Sequence, residues 1–298
     1  MKSFSYYLLY AFSLMFAILP LRILYIISDG FYCLNYYVVQ YRKKIVFQNL
    51  RNSFPEKSDQ EIKTIAKKFY RHFSDLFVET LKMMHMPLKE SRKRVTIKNP
   101  EILEELYSKN KLILAALGHY NNWEWISMMT KPEFQVISIY KPLHDPNFDR
   151  FMLKLRTLKG SLLVPTTQTL RFLSSWNAPD KRAFFCFIAD QSPLLKDIHY
   201  WTKFLNQTTP IFIGIEKIAL KYNLPVCFFR FEKIKRGYYQ LEIVPITENP
   251  AFTKPYEITE AHVRLLEEDI KKNPEYWLWS HRRWKRQYED IINAQPNA

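Results

Sequence analysis

The chain has 298 residues, which fits one large domain or two small ones. With 47% hydrophobic and 16% aromatic residues it has ample apolar surface to bury, excluding collagen-like, low-complexity and disordered classes. The net charge of +15 is unevenly spread: residues 41–100 hold fifteen Lys/Arg against six Asp/Glu, a local +9, whereas residues 1–40 hold +1.

The first segment is apolar. An uncharged run from Phe4 to Leu19 is interrupted by Pro20 and Arg22, resumes at Ile23–Ile27, and returns as the aromatic stretch Phe31–Tyr41. That run falls slightly short of the roughly 20 residues of a spanning helix; continued through Arg22 to Ile27, with the arginine reaching towards one interface, it attains that length. No small-x-small cleavage site precedes the aromatic stretch, so residues 1–40 read as an uncleaved N-terminal membrane anchor helix over 1–27, either spanning or lying in one leaflet, with an interfacial segment after it; the alternative is a buried core hairpin with a solvated charged face. Arg42, Lys43 and Lys44 follow directly, and positive charge at that place puts the rest of the chain on the cytoplasmic face. Cys33, Cys186 and Cys227 form no CxxC and suit buried thiols in a reducing compartment.

Residues 41–100 form a basic helical segment. Ile62, Ile65, Phe69, Phe73, Phe77 and Leu81 recur at three- and four-residue steps, and Ser58 with Glu61 makes a capping box, so the spacing predicts a helix over 59–84. From residue 101 the pattern alternates. Helices are expected over 101–108, 122–129, 147–159, 167–176, 210–222 and 256–272. Strands are expected over 111–117, 134–140, 161–164, 182–189, 225–233 and 238–245. Residues 101–298 therefore read as one α/β core with a mixed, mostly parallel sheet flanked by helices.

In such sheets chemistry sits at the carboxyl ends of strands, and two segments stand there: Gly118-His119-Tyr120-Asn121-Asn122-Trp123-Glu124 and Asp190-Gln191-Ser192-Pro193. On one regular helix His119 and Glu124 would lie ~140° apart, so His119 must precede the helix. With Gly118 permitting an unusual turn and Asn121 or Asn122 capping the helix, Glu124 falls in the first turn and can reach back to the imidazole. The carboxylate would hold the Nδ1–H tautomer and leave Nε2 free to take a proton from a hydroxyl. No serine or cysteine nucleophile lies beside the pair, which favours direct transfer without a covalent intermediate. The 5 glycines form no nucleotide loop and the 7 histidines no HExxH, so neither cofactor nor metal is expected.

The segment Gly118 to Glu124 resembles the H-x4-D/E motif of the lysophospholipid acyltransferase superfamily, in the form typical of the lipid A late acyltransferases. Other blocks agree in order. They are Arg42 to Asn49 with Asn52-Ser53-Phe54-Pro55-Glu56, then Tyr140-Lys141-Pro142 with Asp149 through Arg156 to Gly160. Asp190-Gln191-Ser192 with Phe204-Leu205 follows, and Trp277 to Lys285 matches the WxHRRxK ending. Two positions depart from the family: Lys141 stands where an arginine is usual, giving up a bidentate fork, and Phe204-Leu205-Asn206 lacks the usual glycine.

The resemblance implies a glycerolipid acyltransferase-like fold and transfer of a fatty acyl chain from a thioester donor, acyl carrier protein, to a hydroxyl of a lipid A precursor. The location implied is the cytoplasmic face of the cell inner membrane. His119 and Glu124 would be catalytic, and Lys141, Arg156, Asp190 and Gln191 substrate-binding. Arg156 is preferred over Arg150, since the two lie on different faces of a helix; Asp190 would either position a loop or contribute to donor binding. The run His281 to Arg283 would contact headgroups or carrier protein, or be a solvated basic face. A +15 surface would steer an acidic carrier and phosphorylated headgroups. Acylation of a lysophospholipid or an amino-acid lipid stays open, and so does a non-enzymatic basic membrane-binding module. Nucleic acid is not expected as a partner, because no known motif for it is present.

Overall fold

The computed structural model describes residues 4–109, 112–131, 133–176 and 182–288. The apolar N-terminus folds as two helices, α1 (Phe4–Ile18) and α2 (Leu21–Cys33), separated at Pro20. Proline has no N–H to continue the first helix, and its φ of −58° and ψ of 144° start the second. The continuous helix expected through Arg22 is therefore broken, and among the described residues no helix is long and apolar enough to cross a membrane. A π-helical turn, Leu34–Val39, leads to Gln40 and Arg42, both in the left-handed region, which redirect the chain into α3 (Lys43–Ser53).

Helix α4 (Asp59–Lys82) begins at the expected capping box: the Glu61 N–H donates to Ser58 Oγ, and the Ser58 N–H to Glu61 Oε2. After α5 (Leu88–Arg94) come β1 (Val95–Ile97), α6 (Pro100–Lys109), β2 (Leu112–Leu117), β3 (Phe134–Tyr140), α7 (Pro146–Thr157), β4 (Leu162–Pro165) and α8 (Thr169–Ser175). The chain continues through β5 (Arg182–Ile188), β6 (Trp201–Phe204), β7 (Gln207–Pro210), α9 (Gly214–Tyr222), β8 (Val226–Lys235), β9 (Tyr238–Thr247) and α10 (Glu257–Lys272).

Seven strands form one sheet in the order β1-β9-β8-β2-β5-β3-β4. Every pairing in it is parallel except β8 with β9, which agrees with the expected mixed, mostly parallel sheet. Both faces are covered, as parallel sheets require. Ile113, Ala115 and Leu117 of β2 enter one apolar cluster with α1, α6 and α7, while Leu114 and Ala116 enter another with α3, α9 and α10. Helix α4 serves both, through Val78 and Leu81 on one side and Ile62 and Phe69 on the other.

Further stretches differ from the sequence reading, among them β1, a strand inside the segment 41–100 that is expected to be helical. Residues Trp123–Met129 form a 3-10 helix instead of an α-helix. Helix α9 starts at Gly214, because the chain before it pairs as the hairpin β6–β7. That hairpin turns through Leu205 and Asn206 at φ of 49° and 64°, so the conformation that glycine would supply is adopted by ordinary residues. Leu205 is buried and its N–H donates to Glu267 Oε1 at 2.7 Å, which holds the turn. Finally, Cys186 and Cys227 are buried as expected, but Cys33 is exposed.

Candidate active site

Strands β2 and β5 are parallel neighbours with Leu117 opposite Ile188, so the chain leaving each strand emerges at the same edge. This brings Gly118-His119 beside Ala189-Asp190. The glycine is needed for space: a Cβ at Gly118 would stand 2.6 Å from Leu266 Cδ1 of α10. The unusual backbone lies instead at Asn121, φ 53°, whose Nδ2 donates to Phe231 O at 2.7 Å. Asn122 does not cap the following helix; its Nδ2 donates to Glu79 Oε2 at 2.6 Å.

Asp190 is buried and faces His119 twice. Its Oδ1 lies 2.6 Å from the ring Nδ1, and its Oδ2 accepts the His119 backbone N–H at 2.9 Å. Trp277 Nε1 also donates to Oδ2, at 2.7 Å. Burial alone would raise this carboxyl, but the His119 charge and these donors outweigh it and bring it down to about 2. An ionised carboxylate at Nδ1 keeps the proton on that nitrogen, so Nε2 is the basic atom. It receives the Gln191 amide at 3.1 Å, and the ring packs edge-on against Trp123.

The expected bond from Glu124 to the imidazole is not made. Glu124 takes both Arg156 Nε, at 2.7 Å, and Arg156 Nη2, at 2.6 Å, in a bidentate pair, with Trp123 Nε1 on the same carboxylate at 3.2 Å. Burial pushes the Glu124 carboxyl up, and Arg156 more than reverses this, holding it below its ordinary range. The reason is reach. Glu124 opens a 3-10 turn and points at α7, whereas Asp190 lies one strand away from His119.

Of the residues singled out from sequence, His119, Glu124, Arg156, Asp190 and Gln191 come together here. Arg150 is exposed on α7, and Lys141 is exposed on the loop after β3. Trp277 was missed as a partner of the dyad, although it lies in the C-terminal block whose tryptophan spacing marks it. That block is stitched to the His119 loop by Leu278 N–H to His119 O, 3.1 Å, and Asn121 N–H to Tyr276 O, 3.0 Å. The block is held in turn by Asn49 Nδ2, which donates to Trp279 O and His281 O, each at 2.9 Å. The run His281 to Arg283 is not one solvated face: Arg282 is exposed, but Arg283 is fully buried.

A search of the curated proteins finds no match to this chain. A family model described as bacterial lipid A biosynthesis acyltransferase matches residues 1–286, nearly the whole length and every element that builds the site. The chain belongs to the bacterial lipid A biosynthesis acyltransferase family and is an acyltransferase.

Proposed function

We propose that the protein moves a fatty acyl chain from a thioester on acyl carrier protein to a hydroxyl of a lipid A precursor, with His119 as the general base. The observation that carries this is the 2.6 Å contact of Asp190 with Nδ1, which leaves Nε2 as proton acceptor beside the Gln191 amide. Nε2 takes the hydroxyl proton as the oxygen attacks the thioester carbonyl. The tetrahedral intermediate then collapses, the carbon–sulfur bond breaks, and the thiolate leaves with the proton from the imidazolium. The products are an ester and a free thiol, so the proton balance closes on His119.

Glu124 adds a second negative charge near the ring, stabilising the imidazolium, and fixes Arg156 at the edge of the site. Lys141 and Arg156 are the candidate cations for acceptor phosphate, and exposed Arg282 and Lys285 for the acidic carrier. Seating at the inner membrane is proposed through the N-terminal helices lying in one leaflet. Ile18 and Ile26 are each 72% exposed and Val38 71%, next to the basic Arg42–Lys44 run. Ile18→Asp with Ile26→Asp should therefore release the protein from salt-washed membranes; unchanged retention would reject that seating.

The test of the chemistry uses purified enzyme with acyl carrier protein and with a small acyl thioester. His119→Ala should lose about 10²–10⁴-fold in turnover with both donors while acceptor binding persists. Arg282→Glu with Lys285→Glu should raise KM for the carrier only. Normal turnover by His119→Ala ends the base assignment, and equal loss with both donors ends the docking assignment.

A further inference from the structure

Arg283 is the largest charged side chain among those described that the fold buries completely. Its Nη2 donates to Pro210 O at 2.6 Å, while Nε and Nη1 have no hydrogen-bond partner. The next residue fixes its backbone, since Trp284 Nε1 donates to Thr209 Oγ1 at 2.7 Å. A buried guanidinium with two nitrogens left without a partner is strongly unfavourable for the fold alone. Its surroundings give it a counterpart: Arg283 and Asp190 wall the same narrow cavity, whose other lining is His262 and apolar groups such as Leu117, Phe204 and Ile211. In such a space a charge is felt more strongly than in water.

We propose that Arg283 is a positioning residue for the acyl transfer: its buried charge, sharing this cavity with Asp190, keeps the carboxylate turned to His119 Nδ1 and offsets part of the carboxylate's pull on the imidazolium, and so sets the pH at which Nε2 can accept the hydroxyl proton. Burial lowers the guanidinium to about 10 and the Asp190 charge works against that loss, so it is cationic at neutral pH. His262, on the wall of the same cavity, is pushed down to about 4 by burial, against the Glu260 charge, and is uncharged at neutral pH. The Glu124 charge on the ring is damped by its ion pair with Arg156 from α7, which the Arg283 variants leave in place, and Trp277 and Gln191 are neutral donors. His281 is pushed down to about 4, by burial first, and is uncharged at neutral pH, while Lys285 is exposed to screening solvent.

The inference rests on the reading of His119 as base, and the test separates the two. The pH profile of kcat/KM is measured for the full-length wild type, Arg283→Gln, Arg283→Met, Arg283→Lys and His119→Ala. Loss of the cation should move the acid limb upward by about one pH unit in the Gln and Met variants, a roughly tenfold loss on the acid side only. Arg283→Lys should keep the wild-type limb. If the neutral variants and Arg283→Lys lose rate equally at every pH with the limb unmoved, Arg283 only supports the fold and the proposal is overturned. It is equally overturned if neither neutral variant folds while Arg283→Lys does. Full activity of His119→Ala would instead reject the base assignment itself.

Discussion

Asp190 and Glu79 both bury a carboxylate against the loop from Gly118 to Glu124, but one faces a titratable ring and the other faces neutral donors. Asp190 meets His119 and Trp277, and the His119 charge with these bonds carries it down to about 2. Glu79 accepts from Asn122 Nδ2 at 2.6 Å, Tyr239 OH at 2.8 Å and Tyr25 OH at 2.9 Å, and burial raises its carboxyl despite the Lys233 charge and the tyrosine bonds. The first arrangement prepares a base. The second pins the loop that carries it, and through Tyr25 it ties that loop to α2 and the apolar N-terminus. Burial alone therefore does not mark a catalytic carboxylate; the partner does.

The comparison breaks most sharply on turnover. Asp190→Asn should keep the fold yet lose about 10³–10⁴-fold in kcat, because the amide no longer enforces the Nδ1–H tautomer. A purified variant with kcat within tenfold of wild type would place Asp190 among the merely structural carboxylates. Glu79→Ala should show the reverse weighting. Three donors lose their acceptor inside the protein, so about 3–5 kcal/mol of stability is expected to go, read by chemical denaturation, with activity falling only as folded protein is lost.

Acid and base should separate the two residues again. Asp190 has a folded value below its unfolded one, so its contribution of about 2 kcal/mol is present above about pH 4 and lost as the pH falls towards 2. Glu79 has a raised folded value, so its contribution is present at low pH and lost as the pH rises through that value. Denaturation midpoints against pH, for wild type, Asp190→Asn and Glu79→Gln, should show each variant flattening one side only. Tyr25→Phe is the gentlest probe: removing one donor from Glu79 should cost about 1 kcal/mol and leave kcat nearly intact. A large kcat loss there would mean that α2 bears on the site more directly than through Glu79.

Much of this was legible in the order of residues. The 3.6-residue repeat and Ser58–Glu61 box of α4, the alternating core from residue 101, and the two polar segments at strand ends follow from local periodicity and chain chemistry, which depend on neighbours a few positions away. The same holds for the basic run after an apolar start. The expectation of one helix running on to Ile27 gives too little weight to Pro20, whose missing N–H divides that start into two helices.

Tertiary structure decided who meets whom. Spacing suggested that Glu124 orients His119, because both lie in one short segment; the pairing of β2 with β5 brought Asp190 closer across the chain and left Glu124 to Arg156. It also decided that Arg283 lies inside, while its neighbour Arg282 is exposed, and that Trp277 closes the dyad from the C-terminal block. Gly118 read as a conformational need and proved to be a matter of space against Leu266. Such contacts are set by strand order and by which helix crosses the sheet at that level. Local propensity carries no term for either.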